Sequence, residues 1–161
     1  MNLVLTRIDN RLIHGQVATA WTQHSGANLL VVPNDKISTN TTRQNLMNMA
    51  TPAGVESRFF TIKKTIDILH KAADRQIIAL IVETPQDVLS LVKGGIPIKV
   101  VNIGNMHMSE GKIQISKSVC VDENDIKTLK KLNELGVKLE IQRVPTESKE
   151  DIMSLIDKIS K

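Results

Sequence analysis

Short aliphatic and β-branched runs alternate along the chain with stretches of helical period, the mark of alternating strand and helix. The pattern predicts strands over residues 3–7, 28–32, 57–61, 77–82, 99–103 and 137–142. Several, above all IIALIV at 77–82, are apolar at every position, which calls for a sheet covered on both faces. Ile62, Ile66, Leu69 and Ala73 lie at i, i+4, i+7 and i+11, and Ile152, Leu155, Ile156 and Ile159 at i, i+3, i+4 and i+7, so each stretch has one buried stripe. Thr84-Pro85 and Asp122 read as helix starts, the second with Glu123 and Asp125 in its first turn. Gly94 and Gly136 stand where helices should stop. Residues 112–115 and 118–121 are short enough for a hairpin or an edge strand. The expected class is α/β: a three-layer domain with a mostly parallel central sheet of about six or seven strands, helices on both faces and a small antiparallel edge element. Without repeats, low-complexity tracts or linkers, residues 1–161 read as one domain.

Composition narrows the function more than the fold. With 41% hydrophobic residues in 161, the chain can bury a real core. The single Cys120 excludes an intrachain disulfide and a thiolate cage, which suits a reducing, cytoplasmic setting. The longest apolar runs are far too short to span a bilayer, so a membrane role must run through a partner. The net charge of +4 is spread along the chain, and with no Tyr, one Trp and two Phe there is no stacking platform for nucleic acid. A mildly positive face still suits an acidic protein partner or a phosphoryl group. No Walker A loop, G-x-G-x-x-G turn, HExxH or CxxC occurs, and the four histidines are dispersed; neither nucleotide nor metal is expected.

Ligands of open α/β sheets are met at the carboxyl ends of strands. The first strand runs into Ile8-Asp9-Asn10-Arg11-Leu12-Ile13-His14-Gly15, after which 16–23 reads as helix with Val17, Ala18 and Trp21 inward. An Asp, an Arg and a His thus share one loop. A neutral imidazole at His14 can attack phosphorus through a ring nitrogen. The backbone N–H groups of Gly15 and Gln16, at a helix start, would face the bound phosphoryl group, and Gly15 lets the backbone come close. Arg11 offers a fork of donors to the equatorial oxygens, where transition-state charge is spread. Asp9 is placed to accept a hydrogen bond from His14, setting its tautomer, or from Arg11, setting its direction; the residues leave both open. On spacing alone, a loop ion pair of Asp9 and Arg11 with His14 as a helix cap is the favoured reading.

The stretch RIDNRLIHGQVATAW, residues 7–21, closely resembles the signature of the IIB proteins of the mannose/fructose/sorbose family of the bacterial phosphoenolpyruvate-dependent sugar phosphotransferase system. The resemblance continues through VKGG at 92–95, VNIGNMH at 101–107 and VDENDI at 121–126. It implies a carrier that takes a phosphoryl group from a phosphohistidine of a IIA protein onto His14 and passes it to sugar arriving through membrane IIC and IID subunits. Asp9 and Arg11 would line the active loop, no cofactor is needed, and a homodimer is compatible with the scheme. Cys120, in an apolar segment away from the loop, is a poor counterpart of the phosphocysteine of other IIB classes. Gly104-Asn105-Met106-His107 departs from the two glycines that precede the Met in many mannose-type members. With ANLLVVPND, QNLMNM, AADRQ and RVPTE, it is most similar to the N-acetylgalactosamine/galactosamine branch.

Asn105 and His107 follow the fifth strand and are candidates for contact with the phosphoryl group or the IIA partner. Ser38, Thr39 and Asn40 follow the second strand; one of them should cap the next helix, and Ser38, Thr39 and Thr84 are secondary candidates for donors beside the active loop. His24 and His70 fall at predicted helix ends, where they face water or cap carbonyls. The competing class is a non-catalytic α/β binding or regulatory module with the same fold and no turnover at His14.

Overall fold

The computed structural model describes residues 1–160, with the side chains of Gln16 and Val17 outside the described residues. Along the chain it forms β1 (Asn2–Asp9), α1 (Gly15–Ser25), β2 (Leu29–Pro33), α2 (Thr41–Ala50), β3 (Glu56–Phe60), α3 (Ile62–Ile68), β4 (Ile77–Val82) and α4 (Pro85–Lys93). There follow β5 (Val100–Asn105), β6 (Ile113–Gln114), β7 (Cys120–Val121), α5 (Glu123–Glu134), β8 (Lys138–Ile141), β9 (Glu150–Asp151) and α6 (Ile152–Ile159). Seven strands make one sheet in the order β3-β2-β4-β1-β5-β8-β9, parallel except for the last pair. The segment between β5 and α5 folds back as the antiparallel pair β6-β7.

The uniformly apolar strands lie where the pattern requires, inside the sheet, with successive side chains feeding opposite layers. In β4, Ile78, Leu80 and Val82 enter a core built with Val88, Leu91, Leu129, Leu132, Ile152 and Ile156 of α4, α5 and α6. Ala79 and Ile81 enter a second core, with Met47 of α2 and Ala18 of α1 packed there. β2 divides likewise: Leu29 and Val31 to the first, Leu30 and Val32 to the second. On the α1 side this apolar rule is broken: Arg7 of β1, Asn102 of β5 and Gln142, just after β8, are buried there and joined by hydrogen bonds.

The helix signals place the ends. Thr84 caps α4, whose first residue is Pro85. Asp122 and Asp125 form a capping box on α5. Asn40, rather than Ser38 or Thr39, caps α2 through the N–H of Arg43. Gly136 follows α5 with φ of 88°, whereas Gly94 keeps a right-handed φ and Gly95 takes the left-handed turn at 98°. Gly94 is small for another reason: a Cβ there would stand 2.5 Å from the Ile66 side chain. The stripe predicted to run to Ala73 is cut short, because α3 ends at Ile68 and tightens into a 3-10 turn over Leu69–Lys71. β9 has two exposed residues and no hydrophobic period to announce it.

Lys112 ties the β6-β7 segment to α5 by an ion pair with Asp125 at 3.1 Å, and Gln86 of α4 donates to the same carboxylate at 3.0 Å. Burial alone would raise the Asp125 pKa. Hydrogen bonds from Gln86, the Asp122 N–H and Lys112 outweigh it and hold the group below its ordinary value. A depressed carboxylate lends stability that is present above its unfolded pKa and is lost as pH falls through the folded one. Asp87 has the opposite sign: burial raises it, with Glu83 and Asp35 adding to the rise and the Thr84 hydrogen bond opposing, so its protonation favours the fold. In an Asp87→Asn background, Asp125→Asn should therefore flatten the fall of Tm below about pH 4. An unchanged acid limb in thermal scans would show that Asp125 contributes nothing to it.

Candidate functional site

From β1 the chain crosses toward β2 on one side, and from β5 toward β8 on the other, so the carboxyl ends of β1 and β5 flank the switch point of the sheet. The predicted loop leaves β1 there. The Asn10 N–H donates to the Asn105 carbonyl at 3.2 Å, and the Asn105 amide donates to the Asn10 side chain, joining the two strand ends. A tight turn follows, closed by the Leu12 N–H on the Asp9 carbonyl at 2.9 Å. Leu12 takes φ of 59°, a strained conformation for a residue with a Cβ. Its side chain and that of Ile13 are buried in the second core, and that burial holds the turn.

Between those anchors the polar side chains are set. Asp9, 1% exposed, accepts from the Arg11 N–H and Nε on Oδ1 and from Arg11 Nη2 on Oδ2, each at 3.1 Å. Of the two roles open to Asp9, the geometry shows the second: it directs Arg11. Arg11 is 47% exposed, and among the described residues its Nη1 has no partner, so the guanidinium tip still has donors for an anion. His14 is the N-cap of α1, and its side chain caps nothing. Its Nδ1 lies 2.9 Å from the Leu12 carbonyl, an acceptor, so the neutral ring carries its proton there and its lone pair on Nε2. Nε2 is buried and has no partner among the described residues, beside a cavity of about 20 Å³ lined by Leu5, Ala18, Trp21 and Leu30 among others. With Nδ1 engaged and Nε2 buried, reaction at either nitrogen requires the ring to turn.

The first intrahelical bond of α1 runs from Ala18 N–H to the His14 carbonyl, so the N–H groups of Gly15 and Gln16 precede the ladder at the positive end of the helix dipole. Gly15 enters the helix with φ of 26°. The Gln16 side chain, like the predicted inward Val17, lies outside the described residues.

The secondary candidates divide. Asn105 is joined to the loop through Asn10. Thr84 and His107 share with Asn10 and Lys112 a cavity of about 50 Å³ on the α4 and α5 side. The Ser38 and Thr39 hydroxyls instead donate to their own turn, on the Asp35 and Lys36 carbonyls. His24 packs edge-on against Trp21, and Cys120 is buried in β7. Among the described residues no group of three His, Cys, Asp or Glu is placed to hold a metal ion.

Arg7 belongs to this cluster although sequence reasoning assigned it nothing. It is 2% exposed, 3.7 Å from Asp9 Oδ2, and stacked 4.6 Å from the Trp21 ring. It donates to the Asn102 side chain and, at 2.9 Å each, to the Gln142 and Arg143 carbonyls. Burial pushes the guanidinium down to about 10; Asp9 opposes that shift and Arg11 adds to it, and the group stays charged at neutral pH. The available signal was a cation at an inward position of the run LVLTRID.

The family described as PTS system sorbose subfamily IIB component matches residues 3–161. The chain belongs to that family. This IIB component is 49% identical over 155 residues to the N-acetylgalactosamine-specific phosphotransferase enzyme IIB component 2 of Escherichia coli (strain K12), covering 96% of this chain and 99% of that one. Among solved structures it resembles the N-acetylgalactosamine-specific IIB component 1 from Escherichia coli, with 52% identity and a TM-score of 0.90 over 93% of this chain and 99% of that one. It also resembles the IIBSor domain of the sorbose permease from Klebsiella pneumoniae, with 33% identity and a TM-score of 0.94 over 98% of each. The three-layer fold of this IIB component is thus that of the phosphotransferase system IIB structures.

Proposed function

We propose that this IIB component carries a phosphoryl group on His14, taking it from the phosphohistidine of a IIA protein and passing it to sugar at membrane IIC and IID subunits. The observation that carries this reading is Arg11, clamped by the buried Asp9 in the same tight turn that leads to a histidine at the uncapped start of α1. Once the ring has turned, its lone-pair nitrogen attacks phosphorus as the bond from phosphorus to the IIA imidazole breaks. Charge on the equatorial oxygens then meets Arg11 and the Gly15 and Gln16 N–H groups. Positioning and charge stabilisation supply the catalysis, and neither metal nor nucleotide takes part. The donor and the recipient visit the same loop in turn, which places the protein in the cytoplasm, held at the membrane by its partners. The likeness to N-acetylgalactosamine-specific IIB components supports N-acetylgalactosamine or galactosamine as the sugar.

The test is reconstitution with phosphoenolpyruvate, the general phosphotransferase proteins, IIA, and membranes holding IIC and IID. An acid-labile, alkali-stable phosphate should map to the peptide containing His14 and be discharged by N-acetylgalactosamine or galactosamine. Phosphate on another residue would overturn the site, and discharge by a different sugar alone would overturn the substrate.

A further inference from the structure

Position 7 faces the α1 side of the sheet, beside Leu5 and Trp21, where an apolar side chain would serve a core. A guanidinium there loses its hydration and needs compensation from the protein. Four elements provide it. Asn102 comes from β5, the Gln142 and Arg143 carbonyls from the loop after β8, Asp9 from β1 itself, and the Trp21 ring from α1. Gly104 completes the enclosure: a Cβ there would stand 2.0 Å from Arg7 Nη2, so only glycine leaves room for the guanidinium. The Trp21 indole N–H also donates to the Arg143 carbonyl, at 3.0 Å, so the same acceptor holds Arg7 and the helix that begins after His14.

We propose that Arg7 is a positioning residue for the transfer at His14: from behind, it fixes Asp9, and through Asp9 it aims Arg11. This rests on the carrier reading given above. Asp9 Oδ2 lies between two cations, Arg11 Nη2 at 3.1 Å in front and Arg7 Nη2 at 3.7 Å behind. Without the rear cation the carboxylate is free to tilt, and Arg11 tilts with it. A small misplacement of a group that stabilises the transition state is costly in rate.

The test is a double-mutant cycle on single-turnover transfer from phosphorylated IIA, using Arg7→Met, Arg11→Ala and the pair. Each single change should slow transfer roughly 10- to 100-fold. If Arg7 works through Arg11, adding Arg7→Met to Arg11→Ala should slow it by no more than about twofold further. A merely structural role would cost the same in both backgrounds, and that result overturns the inference. If Arg7→Met does not fold, Gly104→Ala takes its place in the cycle, because it displaces the guanidinium without removing the charge, and the same two outcomes decide. A wild-type protein that takes no phosphate from IIA would overturn the carrier reading and this inference with it; an active wild type with multiplicative losses overturns this inference alone.

Discussion

His14→Ala should take up no phosphate from IIA while staying folded. The imidazole supplies the attacking lone pair, and among the described residues the other histidines lie elsewhere: His24 packs against Trp21, His70 lies in the 3-10 turn after α3, and His107 lines the cavity that it shares with Asn10, Thr84 and Lys112. Cys120, buried in β7, offers no substitute nucleophile. The fold should tolerate the change, because the His14 side chain caps nothing and, among the described residues, makes one hydrogen bond, to the Leu12 carbonyl. Its loss is worth about 1 kcal/mol, a few degrees in Tm for a chain of this size. Thermal denaturation and an acid-lability assay on the same sample separate the two effects. Acid-labile phosphate persisting in the folded variant would refute the assignment.

Asp9→Ala should be the most destabilising single change in the loop. Asp9 is 1% exposed and is the carboxylate between Arg7 and Arg11. Its removal leaves Arg7 buried with its nearest counter-charge gone and the two guanidinium groups repelling. Breaking one side of a buried pair costs about 3–5 kcal/mol, which corresponds to a Tm fall of roughly 6–20 °C. Transfer should be lost as well, since Arg11 loses its clamp. A fall of only a degree or two would mean that Arg7 is neutralised by its carbonyl and amide acceptors without help from Asp9.

How far the chain could be read depends on the range of the forces involved. The order of strands and helices, the capping positions at Thr84 and Asp122, and the placing of IIALIV inside the sheet all follow from patterns within a few residues, and the structure repeats them. The loop after β1 was legible as a candidate site because Asp9, Arg11 and His14 are neighbours in sequence. The end of α3 and the pair β8-β9 were not, since neither has a local signature: one is a tightening of the last turn, the other two exposed residues with no hydrophobic period.

By itself the amino-acid sequence determined the class of fold and the family, and it singled out the loop after β1 as the candidate site, because hydrophobic period, turn residues and a contiguous motif are local properties. Only the tertiary structure decided that Asp9 grips Arg11 and not His14, that the His14 ring lies against Leu12 with Nε2 buried, and that Arg7 stands behind the pair. Arg7 meets Asn102 and Gln142 across 95 and 135 residues of chain. Which partner satisfies a buried charge is set by the packing of strands and helices far apart in sequence, where no local pattern reaches.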